Sequence, residues 1–210
     1  TVAALANAWL DRGDVASAER ALAGVRGPRS GVARGRVFIG RGEIERGRNE
    51  LLASAPSLHG AEATEAIALA TLLGRLSQPG GELVAKAMAR ATDGQREEGV
   101  ALLFDESASL PEAERPAVLE FAASLADRAR LGERAEQIRR EIVTVYPGSR
   151  EAPLAMLTLA RTLILDKHTP DEARMLLETL ILEHPRSALV PQARRELDRL
   201  LGRVPPDDAS

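Results

Sequence analysis

Glu136–Leu159 read EQIRREIVTVYPGSREAPLAMLTL, and Met175–Leu197 read MLLETLILEHPRSALVPQARREL. One register places Ala135 on Ala173, Pro147 on Pro185, Ser149 on Ser187, Pro153 on Pro191, Ala155 on Ala193 and Leu159 on Leu197, all 38 residues apart. A constant offset of this kind marks a repeat. The mechanics are the same in both copies. Apolar residues at helical spacing (Ile138, Ile142 and Val145; Leu176, Leu177, Leu180 and Ile181) predict a helix. The helix ends before Pro147 or Pro185, because proline disfavours the helical region for the residue preceding it. Ser149 or Ser187 then offers a side-chain oxygen to the bare N–H groups of the next helix. Pro153 and Pro191 fall in that helix's first turn, where a missing donor costs least; a helix starting at the serine itself would carry a small kink there.

A second repeat with a shorter period precedes it. ANAWLDRGDVASAERAL (Ala6–Leu22) matches GRVFIGRGEIERGRNEL (Gly35–Leu51) at an offset of 29, with Trp9 on Phe38, Gly13 on Gly42, Val15 on Ile44, Ala18 on Gly47 and Leu22 on Leu51. Glycine is expected to close the first helix of each copy in a left-handed cap. The small residue that follows it lets the second helix pack closely on the first.

The pattern Leu5, Ala6, Trp9, Gly13, Ala18, Leu22 resembles one repeat of the tetratricopeptide family, and Gly35, Phe38, Gly42, Gly47 a second. The turns Tyr146-Pro147-Gly148-Ser149 and His184-Pro185-Arg186-Ser187 are similar to those of Gram-negative envelope repeat proteins of the barrel-assembly-lipoprotein and Tol-Pal-coordinator type. The chain departs from the family in its periods of 29 and 38, in Ala, Leu or Val at most aromatic positions, and in residues 60–130. The resemblance implies an all-α fold: a right-handed superhelical stack of about six antiparallel helix hairpins over residues 1–203. Residues 1–58 hold two repeats, 59–130 degenerate hairpins and 131–203 the 38-residue repeats, with a frayed tail over 204–210. In that register the groove positions are Asn7, Arg29, Val32, Arg36, Ile39 and Arg161. Asn7 matches the family's clamp for C-terminal carboxylates, but the lysine expected beside it is Ala3, which argues against chaperone-tail binding.

Composition agrees with helices packed through small side chains. The chain has 210 residues, 44% hydrophobic but only 2% aromatic, so its apolar content is Ala, Leu, Val and Ile. No cysteine is present, which removes disulfides, thiolate metal sites and cysteine nucleophiles. The longest apolar runs, such as Leu154–Leu165, are interrupted by Arg161 and fall short of the roughly 20 residues a membrane span needs. A chain beginning at Thr1 without signal-like residues reads as a mature or trimmed product.

The middle region is readable as helices. Glu62–Leu76 is nearly continuous Ala, Leu and Ile, which predicts burial on most sides. Gln78-Pro79-Gly80-Gly81 is expected to break it, and Glu82–Ala91 to resume. Glu97–Ser107 predicts another helix, and Leu110-Pro111-Glu112 the start of a long one towards Ala129. Thr169-Pro170-Asp171-Glu172 reads as a capping box with proline at the first helical position.

Reactive constellations are sparse. His59, His168 and His184 fall in expected turns or helix ends; His59 with Glu62 offers two metal ligands and no third. The glycines of Gly24–Gly42 lie between helices, not between a strand and a helix, and lack a Gly-Lys-Ser/Thr, so they read as caps and close contacts. Glu97 with Glu98, Asp105 with Glu106, and Glu112 with Glu114 are neighbours that diverge on a helix and do not converge on one atom. No cofactor or metal site is indicated.

Charge is unevenly spread under a net −3: Arg26–Arg48 holds seven Arg and two acids, Ala61–Leu125 eleven acids and five basic residues. Of the 28 basic residues, all but Lys86 and Lys167 are Arg, most simply a coding bias. The Arg26–Arg48 stretch, Arg34 included, reads first as a solvated face, next as a contact for an acidic protein segment or anionic lipid, and last as a nucleic-acid surface, since only Phe38 lies near for stacking. The expected role is therefore a non-enzymatic scaffold or accessory subunit, periplasmic or membrane-associated, that binds another protein or an extended peptide in its concave groove. The alternative is a cytoplasmic regulatory domain that uses Arg26–Arg48 on nucleic acid or a signalling partner.

Overall fold

The computed structural model of the chain describes residues 1–10, 12–92, 95–166 and 169–203. Among them are twelve α-helices: α1 (Val2–Leu10), α2 (Val15–Leu22), α3 (Pro28–Gly40), α4 (Ile44–Ser54), α5 (Gly60–Leu73), α6 (Gln78–Thr92), α7 (Arg96–Glu106), α8 (Arg115–Arg128), α9 (Gly132–Val145), α10 (Ala152–Asp166), α11 (Pro170–Glu183) and α12 (Val190–Leu200). The described residues form no strand, and the helices pack in consecutive pairs. The expected fraying of Val204–Ser210 and the turn placement of His168 lie outside the described residues.

Both repeats recur as identical hydrogen bonds. In the 29-residue copies, Asp14 N–H reaches Trp9 O at 3.0 Å and Gly13 N–H reaches Leu10 O at 2.9 Å; Glu43 to Phe38 and Gly42 to Ile39 repeat this at 2.9 and 2.8 Å. This is a helix stop closed by a left-handed residue, and Gly13 and Gly42 have φ of 74° and 80°. In the 38-residue copies, Tyr146 N–H bonds Ile142 O at 3.0 Å and Ser149 N–H bonds Tyr146 O at 3.0 Å, matched by His184 to Leu180 and Ser187 to His184 at 3.1 and 2.9 Å. Ser149 Oγ accepts from Ala152 N–H at 3.1 Å, as the spacing predicts, while Ser187 Oγ accepts from Leu189 N–H at 3.2 Å, just ahead of its helix. The helices begin three residues after each serine. Pro153 and Pro191 therefore sit at the second helical position and force no kink.

The chain divides into two compact units, Thr1–Leu131 and Gly132–Ser210. In the first, Ala6, Leu10, Ala18, Leu22, Ala33 and Val37 form a core cluster against which Trp9 and Val15 pack. The α3–α4 pair is held very close. A Cβ on Gly47 would stand 2.5 Å from Ile39 Cγ1 and 2.7 Å from Gly35 O, so only glycine fits. In the second unit Ile138, Ile142, Met156, Leu157, Leu159, Leu177 and Leu180 are fully buried, each contributing about 1.5–3 kcal/mol. The repeat also shows where that apolar layer closes. Met156 and Leu157, buried in α10, correspond at the 38-residue offset to Arg194 and Arg195, exposed on α12.

Four expectations are corrected here. Gln78–Gly81 does not break a helix but forms the first turn of α6, where proline's missing donor is harmless. The helix expected from Leu110 starts at Arg115, with Pro116 in its first turn, and Pro111 lies in the preceding turn, where Glu114 N–H bonds Pro111 O at 2.9 Å. The helix expected to be buried on most sides, α5, buries only Ala66, Ala70, Leu72 and Leu73 and leaves Ile67 48% exposed, because it packs chiefly on α4 and only slightly on α6. The capping box at Thr169 is not made: Thr169 stands at the cap without a side-chain bond, and Glu172 turns to Arg140 instead.

Candidate binding clefts around helix α3

Helix α3 carries most of the residues expected to bind a partner. Successive residues on a helix turn by about 100°, so Arg29 and Arg36 share one side and Arg34 points away from them. Their partners follow that geometry. Arg29 Nε donates to Glu62 of α5 at 2.8 Å, and Arg36 Nη1 to Asn7 Oδ1 of α1 at 3.4 Å. Arg34 reaches the other way, donating to Glu50 of α4 at 2.9 Å and to Val25 O at 2.7 Å.

The remaining basic residues of the stretch are mostly neutralised too. Arg41 Nη1 meets both oxygens of Glu19 at 2.9 Å, Arg46 pairs with Glu43 at 2.9 Å and Arg48 with Glu45 at 3.1 Å. Arg46 also lies over the Phe38 ring, 3.9 Å from its centroid. Of the seven, Arg26 alone makes no ion pair or side-chain hydrogen bond among the described residues. The sequence window of Arg26–Arg48 contained two acids, but Glu19, Glu50 and Glu62 come to it from neighbouring helices. The stretch is thus not one continuous basic face.

Ile39, expected in the groove, is a core residue: it is fully buried against Gly47 and cannot meet a partner. Leu5, the first residue of the family-like pattern, is 51% exposed. Arg161 belongs to the second unit, where Nη2 donates to Glu196 Oε1 of α12 at 2.8 Å. In the same unit Arg140 of α9 pairs with Glu172 of α11 and with Glu136. That guanidinium holds the Glu172 carboxyl below its ordinary value, chiefly through the hydrogen bond, and its own pKa is raised by the same contact.

Two clefts flank the loop from α2 to α3. One, of about 430 Å³, is lined by Arg26, Arg29, Ser30, His59 and Glu62 over apolar walls that include Val25 and Leu58. The other, of about 620 Å³, is bounded by Leu22, Val37, Phe38, Arg34 and Arg46 with Glu19 and Glu50. Arg26 lines both. His59 and His184 occupy helix-terminal positions, as expected. Glu62, of the weak pair His59–Glu62, is engaged by Arg29, and no three His, Asp or Glu among the described residues gather around a common point. Ser30 had escaped notice, because a lone serine inside a glycine-rich stretch carries no spacing signal.

No helix of the described residues is long and apolar enough to cross a membrane. The chain matches no family model, no curated protein and no solved structure.

Proposed function

We propose that this protein is a non-enzymatic protein–protein interaction scaffold, an accessory subunit of a bacterial cell-envelope or membrane-associated complex, whose hairpins stack as a right-handed tetratricopeptide-like solenoid. The observation that carries the reading is a set of four side-chain bridges, each from one helix to the next but one. Asn7–Arg36, Arg29–Glu62, Arg140–Glu172 and Arg161–Glu196 span 29, 33, 32 and 35 residues. In a stack of hairpins the equivalent helix lies one repeat along the chain, so stacking produces contacts at this separation. A stacked array offers a broad surface already ordered by its core, on which an extended segment docks at little further entropic cost.

A protein partner is further supported by α11. Met175 and Leu182 are 60% and 73% exposed there, with Thr179 between them on the same side. The equivalent positions of α9 are Gln137, Glu141 and Thr144, so this outer face is polar in one copy and apolar in the next. The envelope assignment rests on the resemblance of the Tyr146–Ser149 and His184–Ser187 turns. The test is a photo-cross-linking amino acid placed at Leu182, with Thr144 as control, in the native cell. A discrete adduct to an envelope protein from position 182 and none from 144 is the expected result. Absence of adducts from both, or adducts to cytosolic nucleic acid, overturns the reading.

A further inference from the structure

The 29-residue repeat shows what covers each side of its first helix. In α3 the side carrying Gly35 and Ile39 is buried against Gly47 and Leu51 of α4, and the side carrying Ala33 and Val37 is buried in one cluster with Ala6, Leu10, Ala18 and Leu22 of the α1–α2 pair. Helix α1 repeats only half of this. Ala6 and Leu10, the counterparts of Gly35 and Ile39, are buried, whereas Ala4 and Ala8, the counterparts of Ala33 and Val37, are exposed. Leu5 adjoins them on that side with Val2 beyond it, and these two are 51% and 39% exposed. A solvated helix face ordinarily carries charged or polar groups. This one has no charge: α1 reads VAALANAWL, without an ionisable side chain, and Leu5 stands where α3 has Arg34. The second unit gives the contrast, since the buried Met156 and Leu157 of α10 become the exposed Arg194 and Arg195 in α12. The outer face of α1 therefore has the composition of an interface and not of a terminal cap.

We propose that the outer face of α1 is a docking surface for an antiparallel helix pair of the α1–α2 kind, brought by a partner polypeptide. The pair seats as α1–α2 seats on α3, with aliphatic side chains at the places of Leu10 and Leu22 and small ones at those of Ala6 and Ala18. Ala4, Leu5 and Ala8 are then buried beneath it. A second copy of this chain does not supply that pair. Its α1–α2 side is already covered by α3, and its α12 would bring Arg194 and Arg195 against a face with no counter-charge. The proposal rests on the packing of α1, α2 and α3 and is independent of the α11 face and of the compartment.

The chain has no cysteine, so Ala8→Cys introduces a single thiol whose alkylation rate reports whether the face is covered. The probe is a helix pair in cis: the full chain extended ahead of Thr1 by a second run of its residues 1–29, which keeps the 29-residue period and removes the entropic cost of association. Alkylation at the original position 8 should slow about tenfold or more in the extended chain, with the melting temperature raised by several degrees. The thiol of Thr179→Cys, on α11, should react equally in both chains. Ala8→Glu at the original position should abolish the gain in melting temperature and leave the unextended chain folded, since position 8 is exposed there. Equal alkylation rates with and without the extension, or a gain that survives Ala8→Glu, overturns the proposal. So does a slowing of alkylation in the unextended chain as its concentration is raised to ~100 μM, which would make a second copy the occupant. Failure of the cross-link at Leu182 bears on the scaffold reading alone.

Discussion

Arg130 is the non-glycine residue among the described ones with a left-handed backbone, at φ 61°. It ends α8 as Gly13 and Gly42 end α1 and α3, with Leu131 N–H on Ala126 O at 2.9 Å. A side chain in that conformation costs about 1 kcal/mol, and Arg130 is exposed. Arg130→Gly should therefore raise stability by about 0.5–1 kcal/mol in chemical denaturation, against the usual direction of a glycine substitution. The opposite contrast lies within the α3–α4 pair. Gly47→Ala should destabilise by roughly 1–3 kcal/mol, because its Cβ meets the Gly35 carbonyl and Ile39, which cannot both withdraw. Gly40→Ala, with no atom within 4 Å of its Cβ, should gain about 0.5–1 kcal/mol. The repeat called for a small residue at Gly47, opposite Ala18, and said nothing of Gly40. Which glycine tolerates a methyl group was not legible, since that depends on the surface of a neighbouring helix.

At the scale of the elements, caps and inter-helix pairs set the response to acid. Asp14 caps α2, accepting from Ser17 N–H at 2.8 Å and from the Ser17 hydroxyl at 2.6 Å, and these bonds lower its pKa. Glu172 is lowered likewise by Arg140, which ties α9 to α11. A carboxyl with a depressed folded-state pKa contributes stability above its unfolded value and loses it as pH falls through the folded one. Both contributions should thus be present at neutral pH and fade below about pH 4. Melting temperatures measured from pH 7 to pH 3 should fall less steeply for Asp14→Asn and Glu172→Gln than for the wild type. The Arg140 side chain is 41% exposed, so a double-mutant cycle on Arg140 and Glu172 should give a coupling of only about 0.5 kcal/mol. Caps are local and partly legible: Ser149 held the role its spacing predicts. Glu172 did not, because a guanidinium from α9 offers a better partner than the single N–H of a cap.

For the molecule as a whole, charge pairing decides what it attracts. Five arginines of Arg26–Arg48 meet carboxylates, and a sixth donates to Asn7. With a net charge of −3, the chain should elute from immobilised heparin or DNA below about 150 mM salt. Retention well above that would instead support the nucleic-acid alternative. The stops and starts within the two repeats, and both repeat periods, could be read in advance, because proline, glycine and serine act on backbone groups within about five residues of themselves; the starts of α6 and α8 could not. Nor could the fate of the charges, the exposure of α5 and the burial of Ile39. Each depends on which helices meet across 16 to 33 residues of chain, and the local pattern that makes a helix does not say which neighbour will cover it.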